Sequence, residues 1–504
     1  MPALLLALAL LVPLHEFPWT SFHGDLFAAG ALGLLAIRSE PRRWPLPALL
    51  VLGLSLVPLV QHAAGLVTYR GDAVMASLYL GGLALAIKVG ADGPEATRQL
   101  AVGVLAAAWI SALIALAQAA GLLSPAVWLG PQHPEGRAVA NLAQPNLLAT
   151  LLSLGLVAQL AVWPHGRRWR APALLAAATL VAALALTGSR CGLLQALIVL
   201  GAALLCGRRF GLGASRREVL ALTCVLLAGM AAWGAMQPAG GRDWMHGGSA
   251  AARWGYARLF VDAVLASPWV GYGFNQVSVA QSRQLLLGGS PAVWAEHTHN
   301  VALDLFVWCG LPLGALVLAL LGWMILRGMR NAWRDPALGP AGLALAVLLI
   351  HAMLEFPLDY FIFLLPFGVL LGRLCDDGAN RPMPALFHGA ACTALALVAL
   401  LVVRDYRKLA PELAMARSGG SLLITTAVPP ALLLDQVRAQ VEIAHYLNGA
   451  PAADLRPLEA ASERFAYPIL LQTLYQGAVS RNDTAMAQRL ARRLEPQRAA
   501  LPRS

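Results

Sequence analysis

The stretch QLAVGVLAAAWISALIALAQAAG, residues 99–121, holds no acidic or basic side chain from end to end. A spanning α-helix needs about 20 largely apolar residues to cross the hydrocarbon core of a bilayer, and this run has the length. Comparable runs recur on both sides of it. Thirteen apolar segments lie near 2–14, 24–37, 46–62, 73–88, 99–121, 141–163, 171–187, 191–206, 218–236, 300–326, 339–354, 357–372 and 386–403, the first two being the shortest. Over all 504 residues 58% are hydrophobic and only 12% charged, where soluble domains carry about 25% charged residues. Mean hydropathy is +0.64. A soluble enzyme, a disordered chain and a disulfide scaffold are excluded, and the lack of strand-period alternation excludes a transmembrane barrel. The fold class is an all-α polytopic membrane protein with about 13 transmembrane helices.

The net charge of +11 does not point to nucleic acid, because of where the charges fall. With the N-terminus inside, the inner loops collect seventeen Lys and Arg and the outer loops seven, the other thirteen lying after residue 403. That asymmetry is the positive-inside pattern of a bacterial inner membrane protein. The opening segment has neither a basic n-region nor a small-x-small cleavage site, so it reads as a first helix and not as a signal peptide. The six cysteines lie in or beside apolar segments, which implies no disulfide framework in the outer regions.

The organisation that follows is nine helices over 1–236, a large periplasmic loop at 237–299, four more helices over 300–403, and a periplasmic helical tail at 404–504. The loop opens on the Gly-rich QPAGGRDWMHGGSAAARWGY, and its Trp244, Trp254, Tyr256 and Trp269 argue for an ordered piece near the interface. In the tail, 452–466, 467–480 and 484–495 carry apolar residues at helical spacing, with SRND at 480–483 as a turn and cap. Two readings of the tail stand: a small packing domain, or a surface that receives a protein acceptor.

Polar groups are costly near hydrocarbon and so often mark function. Here they gather at the outer edge. Arg190, in the tight turn TGSRC, serves either lipid headgroups or a bound anion. Arg137 precedes AVANLAQPN, in which Asn141 can cap the helix that Pro145 opens, leaving the amides of Gln144 and Asn146 in need of partners. The segment EHTHN, 296–300, leads straight into an apolar helix. Its His297 and His299 could be metal ligands with Glu296, a histidine there could be a general base, or it could only bond the loop. No phosphate-binding loop, dinucleotide fingerprint or GxSxG elbow occurs. The one adjacent acidic pair, Asp376–Asp377, lies on the inner side. Arginine forks can neutralise an anionic leaving group without a metal.

These residues, in order, resemble the bacterial O-antigen ligase/polymerase superfamily, and within it the protein O-oligosaccharyltransferase branch. The resemblance runs through PLHEFPWTSFHGDLFAA, PLVQHAAGLVTYRGDA, RAVANLAQPNLLATLLSLG, TGSR, ARWGYARLFVDAVLASPWVGYGFNQ, THNVALDLFVWCGLP, IHAMLEFPLDYFIFLLPFGVLLG and VVRDY, covering most of 1–405. It implies an inverting transfer of glycan from undecaprenyl diphosphate to a Ser or Thr hydroxyl of a pilin or periplasmic protein, at the periplasmic face, with no metal or other cofactor. Arg190, Arg253 and His299 match the family's catalytic positions. Arg137, Gln144, Asn146, Arg258, His297, Asn300 and Glu355 are the expected substrate-binding groups. Gly310 stands where the family has glycine, whereas Leu313 replaces a small residue or tyrosine, with Gly314 one position later. Ligation of O-antigen to lipid A-core, or its polymerisation, uses the same chemistry on another acceptor. A transporter or flippase would place ionisable groups at the midplane and show internal repeats, and the sequence does neither.

Overall fold

The computed structural model describes residues 1–123, 136–236, 248–286, 295–376, 382–417 and 428–498. Among these the regular elements are helices, with one isolated bridge between Arg43 and Pro382. The α-helices run as α1 (Pro2–Leu11), α2 (Phe22–Ile37), α3 (Leu46–Leu54), α4 (Val57–Ala63), α5 (Arg70–Ala91), α6 (Pro94–Ala119) and α7 (Pro145–Ala161). They continue as α8 (Arg167–Leu186), α9 (Arg190–Cys206), α10 (Arg216–Ala235), α11 (Gly248–Ala266), α12 (Val277–Leu286) and α13 (Val301–Arg334). The rest are α14 (Gly339–Ala352), α15 (Phe361–Cys375), α16 (Ala385–Arg417), α17 (Asp435–Leu447), α18 (Arg456–Arg464), α19 (Pro468–Ser480) and α20 (Thr484–Arg498).

Every apolar segment of the sequence falls on one of these helices, the third on the pair α3–α4. Seven stretches are long and apolar enough to cross a membrane: α3–α4, α5, α6, α8, α10, α13 and α16. The remaining apolar helices, α1, α2, α7, α9, α14 and α15, have 10–17 residues, or about 15–26 Å at 1.5 Å per residue. Two of these are almost wholly packed inside protein. In α7, 15 of 17 residues are buried, and in α15, 14 of 15, as expected of helices that are apolar on all sides.

The chain forms two compact units. One comprises Met1–Gly53, Tyr79–Arg242 and Leu321–Thr393, the other Leu54–Leu78, Asp243–Leu320 and Ala394–Ser504. In the first, α7 is the hub, packed against α6, α8, α9 and α14. The C-terminal part of α5 lies so close to α15 that a Cβ on Gly90 or Gly372 would strike the backbone oxygen of Val369 or Ile87. Contacts between small residues are how helices in lipid, without a hydrophobic force between them, gain dispersion energy.

In the second unit the tail folds around its own core. Leu470, Leu471 and Leu474 of α19 meet Met486 and Leu490 of α20, and Asp483 caps α20 by accepting the Met486 N–H at 2.9 Å. The tail also holds the start of α5. The Asp435 carboxylate accepts the N–H groups of Gly71 at 2.7 Å and Arg70 at 3.2 Å, filling two of the donors a helix N-terminus leaves open.

Two expectations need correction. The segment 300–326 is not one unbroken helix: α13 breaks at Gly310, whose φ of 70° and ψ of −180° are non-helical. Pro312 gives the Trp308 carbonyl no N–H to accept. That carbonyl instead receives the N–H of Gly273 at 3.0 Å and the amide of Gln61 at 2.9 Å, while the Val307 carbonyl takes the N–H of Tyr272 at 2.8 Å. The Leu311 N–H donates to Pro268 at 2.6 Å. Residues 268–273 thus fill the break. The second correction concerns the cap of α7, which is Gln144: its side chain accepts the Leu147 N–H at 2.7 Å. Asn141 lies in a short 3-10 turn, buried, accepting from Ser111 and donating to the Leu10 carbonyl, both at 2.7 Å.

Candidate active site

Within the first unit, four side chains meet where α7 begins, α8 ends and α14 ends. Gly188 makes the turn between α8 and α9 possible, with φ +54° and its α-carbon so near the Trp233 ring that a Cβ would fall 2.4 Å from it. Ser189 then caps α9 by accepting the Gly192 N–H at 3.0 Å, which places Arg190, half-buried, at the first position of that helix. The Ser189 hydroxyl donates to Asn146 Oδ1 at 2.7 Å. The same oxygen accepts from the Arg137 guanidinium at 3.3 Å, and Asn146 Nδ2 donates to Glu355 Oε1 at 3.3 Å. Arg137 is 8% exposed and also donates through Nε to the Thr187 carbonyl at 2.7 Å. It braces the turn that carries Arg190. The sequence-predicted set Arg137, Asn146 and Glu355 is therefore one hydrogen-bonded group, with Arg190 adjoining it along the chain through Ser189.

A second polar layer lies one helical turn deeper, and sequence reasoning passed over it. Thr150, Gln195 and His351 are each fully buried. Gln195 Nε2 donates to the Val347 carbonyl at 2.9 Å, which fixes the amide, and also to Thr150 Oγ1 at 3.0 Å. Thr150 Oγ1 also shares a hydrogen bond with His351 Nδ1 at 2.7 Å. These three residues tie α7, α9 and α14 together directly beneath Asn146, Arg190 and Glu355. Their signal in the sequence was a lone Thr, Gln or His inside LLATLL, LLQALI and LLIHAML.

The same unit contains a cavity of about 420 Å³. Its polar wall comes from His15, Glu16, Thr20, Ser21, Gln144 and Tyr360. Both ring nitrogens of His15 face carbonyl oxygens, Nδ1 that of Thr20 at 3.1 Å and Nε2 that of Asn141 at 2.7 Å.

In the second unit the segment EHTHN is shaped by reciprocal capping. Asn300 Oδ1 accepts the N–H groups of Ala302 and Leu303 at 3.0 and 3.1 Å, so Asn300 is the cap of α13. Asp304 reaches back to accept the Thr298 N–H at 2.9 Å. Between them His299 has φ +59°, a left-handed conformation uncommon outside glycine and retained where the surroundings over-determine it. His297 and His299 are half-buried and Glu296 is exposed. Among the described residues no three His, Cys, Asp or Glu side chains come together as a metal site would require. Arg258 is exposed on α11. Arg253 lies on the same helix, but its side chain is outside the described residues, as are those of Trp254 and Tyr256. Trp244 and Asp377 lie outside them altogether.

A buried ion pair, also unforeseen, supports this loop region. Arg464 of α18 donates to Asp72 of α5 at 3.1 Å and to Ser278 of α12 at 2.8 Å, while Gln276 donates to Asp72 at 3.2 Å. Burial opposes the Arg464 charge, but Asp72 and Glu296 outweigh it, so the guanidinium holds its proton more tightly than usual. Burial together with Glu296 pushes the Tyr467 hydroxyl up to about 12, with Arg464 acting against the shift.

Comparison with known proteins covers these positions. A family described as O-antigen ligase matches residues 175–318, which include Arg190, Arg253 and His299. One described as protein glycosylation ligase matches 138–163, with Gln144, Asn146 and Thr150, and one described as virulence factor membrane-bound polymerase, C-terminal, matches 341–495. The chain is 30% identical over 445 residues, 80% of its own length and 75% of the relative's, to a general O-oligosaccharyltransferase of Acinetobacter baylyi. It is 28% identical over 119 residues, 24% of its length and 22% of the relative's, to a ComP-specific O-oligosaccharyltransferase of the same organism.

Proposed function

This chain belongs to the O-oligosaccharyltransferases of the O-antigen ligase superfamily, and from that premise we propose that it moves a preassembled glycan from undecaprenyl diphosphate to a Ser or Thr hydroxyl of a periplasmic or pilin-like protein. The reaction is a single displacement. The acceptor oxygen forms a bond to the anomeric carbon, the bond from that carbon to the diphosphate oxygen breaks, and the centre inverts. Arg190 and Arg253 neutralise the leaving diphosphate. His299 takes the hydroxyl proton. Gln144, Asn146 and Glu355 orient the sugar or the acceptor, with Arg137 holding Asn146, while Arg258, His297 and Asn300 serve the loop side. Neither a metal nor another cofactor is required.

The observation that carries this reading is the similarity over four-fifths of the chain to a general O-oligosaccharyltransferase. The hydrogen-bonded group around Asn146 supports it, because costly polar groups at helix ends are kept where chemistry uses them. In our reading thirteen helices cross the inner membrane and both 237–299 and 404–504 face the periplasm, which the distribution of Lys and Arg supports. Alkaline phosphatase fused after residue 410 is then active and one near residue 212 inactive.

The matches to ligase and polymerase families keep lipid A-core or a growing O-antigen as the alternative acceptor. Intact-mass spectrometry of secreted and pilin-like proteins, with and without the gene, separates the two. We expect a discrete glycan mass to vanish from protein on deletion. Loss of O-antigen from lipopolysaccharide with protein masses unchanged overturns the protein acceptor.

A further inference from the structure

We propose that the cavity in the first unit seats the first isoprene units of the lipid that carries the glycan. The proposal rests on the reading above that the donor is a polyprenyl diphosphate, and adds where its chain lies.

The cavity has an order of polarity. Its polar wall belongs to the loop after α1 and to the caps of the helices that follow: Ser21 precedes α2, Gln144 precedes α7 and Tyr360 precedes α15. Its apolar wall belongs to the terminal turns themselves, Ala9 of α1, Leu147 of α7 and Ile362 of α15, with Val12 and Leu14 just beyond α1. The C-terminus of α1 and the N-termini of α2, α7 and α15 therefore meet at one end of their helices, and the cavity lies between the polar caps and the apolar turns next to them. A polyprenyl carrier has the same gradient, polar at its head and hydrocarbon below.

Charge excludes the diphosphate itself from this place. No lining residue is Lys or Arg. His15 has both ring nitrogens turned to carbonyl oxygens, and exposed Glu16 would repel an anion. The occupant is therefore an uncharged part of a substrate. A sugar would find partners only along the polar wall and would press its other hydroxyls against the apolar one, which cannot bond them, whereas hydrocarbon gains on leaving water or headgroups. The size agrees, since about 420 Å³ lies at the small end of ligand pockets, which span roughly 300–1,000 Å³. It accommodates a short length of chain and not a whole glycan. Leu14, a lining residue 41% exposed, joins the cavity's apolar side to the surface of the unit.

The test uses the purified full chain and glycan-charged undecaprenyl diphosphate carrying a diazirine on the first isoprene unit, or on the last. After irradiation, the first-unit probe should label peptides containing residues 9–16 or 142–147, in competition with unmodified donor, and the last-unit probe should not. Glycan transfer to an acceptor peptide is followed in the same tubes. Transfer without labelling of these peptides overturns the cavity assignment alone. An absence of transfer overturns the donor reading and this proposal with it. Labelling by a diazirine on the acceptor peptide assigns the cavity to the acceptor and also overturns it. Val12→Trp and Leu14→Trp, at partly exposed positions, should raise donor KM about tenfold, the loss of roughly two methylenes of contact. Acceptor KM and kcat should hold. Unchanged donor KM in both folded variants contradicts the proposal.

Discussion

Replacing Gly310 with Ala should unseat the segment that fills the break in α13. Gly310 has φ +70° and ψ −180°, a region essentially reserved for glycine, where another residue costs about 1–3 kcal/mol. A Cβ there would lie 2.7 Å from the Trp269 carbonyl carbon and 2.8 Å from the Pro268 and Trp269 oxygens. These are backbone atoms and cannot rotate away. Relief requires residues 268–273 to move, which breaks the bonds Leu311 to Pro268, Tyr272 to Val307 and Gly273 to Trp308. Each contributes about 0.5–1.5 kcal/mol net, and Trp308 has no Pro312 N–H to fall back on. Together the loss is about 3–7 kcal/mol, against typical stabilities of about 5–15 kcal/mol. Gly322→Ala is the control. It lies in the helical part of α13 with nothing within 4 Å of its would-be Cβ, so alanine should be neutral or gain about 0.5–1 kcal/mol. Melting of detergent-solubilised protein, followed by gel filtration, compares the two. If Gly310→Ala melts alongside Gly322→Ala, the account of the break is wrong.

Three further outcomes are expected, the first from the proposed function and the other two from the packing. Arg190→Lys and Arg253→Lys should reach the membrane at normal levels yet lose transfer, since the planar fork is gone; removing a donor of this kind costs about 10²–10³ in kcat, and full activity in both variants excludes the diphosphate clamp. Thr150→Val should destabilise the protein by about 1–2 kcal/mol, measured as a lower melting temperature, because Gln195 and His351 each lose a partner in an apolar interior. Arg464→Met should destabilise by about 3–5 kcal/mol by leaving Asp72 buried and unpaired, while the double variant Asp72→Leu with Arg464→Met recovers most of that; equal melting of single and double variants contradicts the ion-pair account.

The helical membrane class was legible because apolar length and charge placement are written directly in the sequence. Polar residues at helix ends were legible too: RAVANLAQPN carried amides in need of partners, TGSR an arginine in a tight turn, and the family resemblance marked Glu355. Which partner was not, since Asn146 meets Ser189 43 positions away and Glu355 209 positions away, and only packing around α7 brings those helix ends together. The cap of α7 was misplaced because asparagine is a preferred N-cap and glutamine is not, and the buried partners of Asn141, Ser111 and Leu10, come from other helices. The break in α13 had a local signal in Gly310 and Pro312, which the unbroken apolar run concealed. Small size is still supplied near Leu313 by Gly314, where a Cβ would lie 2.9 Å from the Phe306 ring. The Arg464–Asp72 pair joins residues 392 positions apart, beyond any pattern in the sequence.

The central claim is that His299 removes the acceptor proton without a metal, and transfer in vitro from lipid-linked glycan to an acceptor peptide tests it most directly. His299→Ala should lose about 10²–10⁴ in rate, the usual contribution of a general base. His297→Ala and Glu296→Ala should keep much of the activity, and EDTA should leave the wild type unchanged. Robust transfer by His299→Ala, or inactivation by EDTA that added divalent metal reverses, would contradict it.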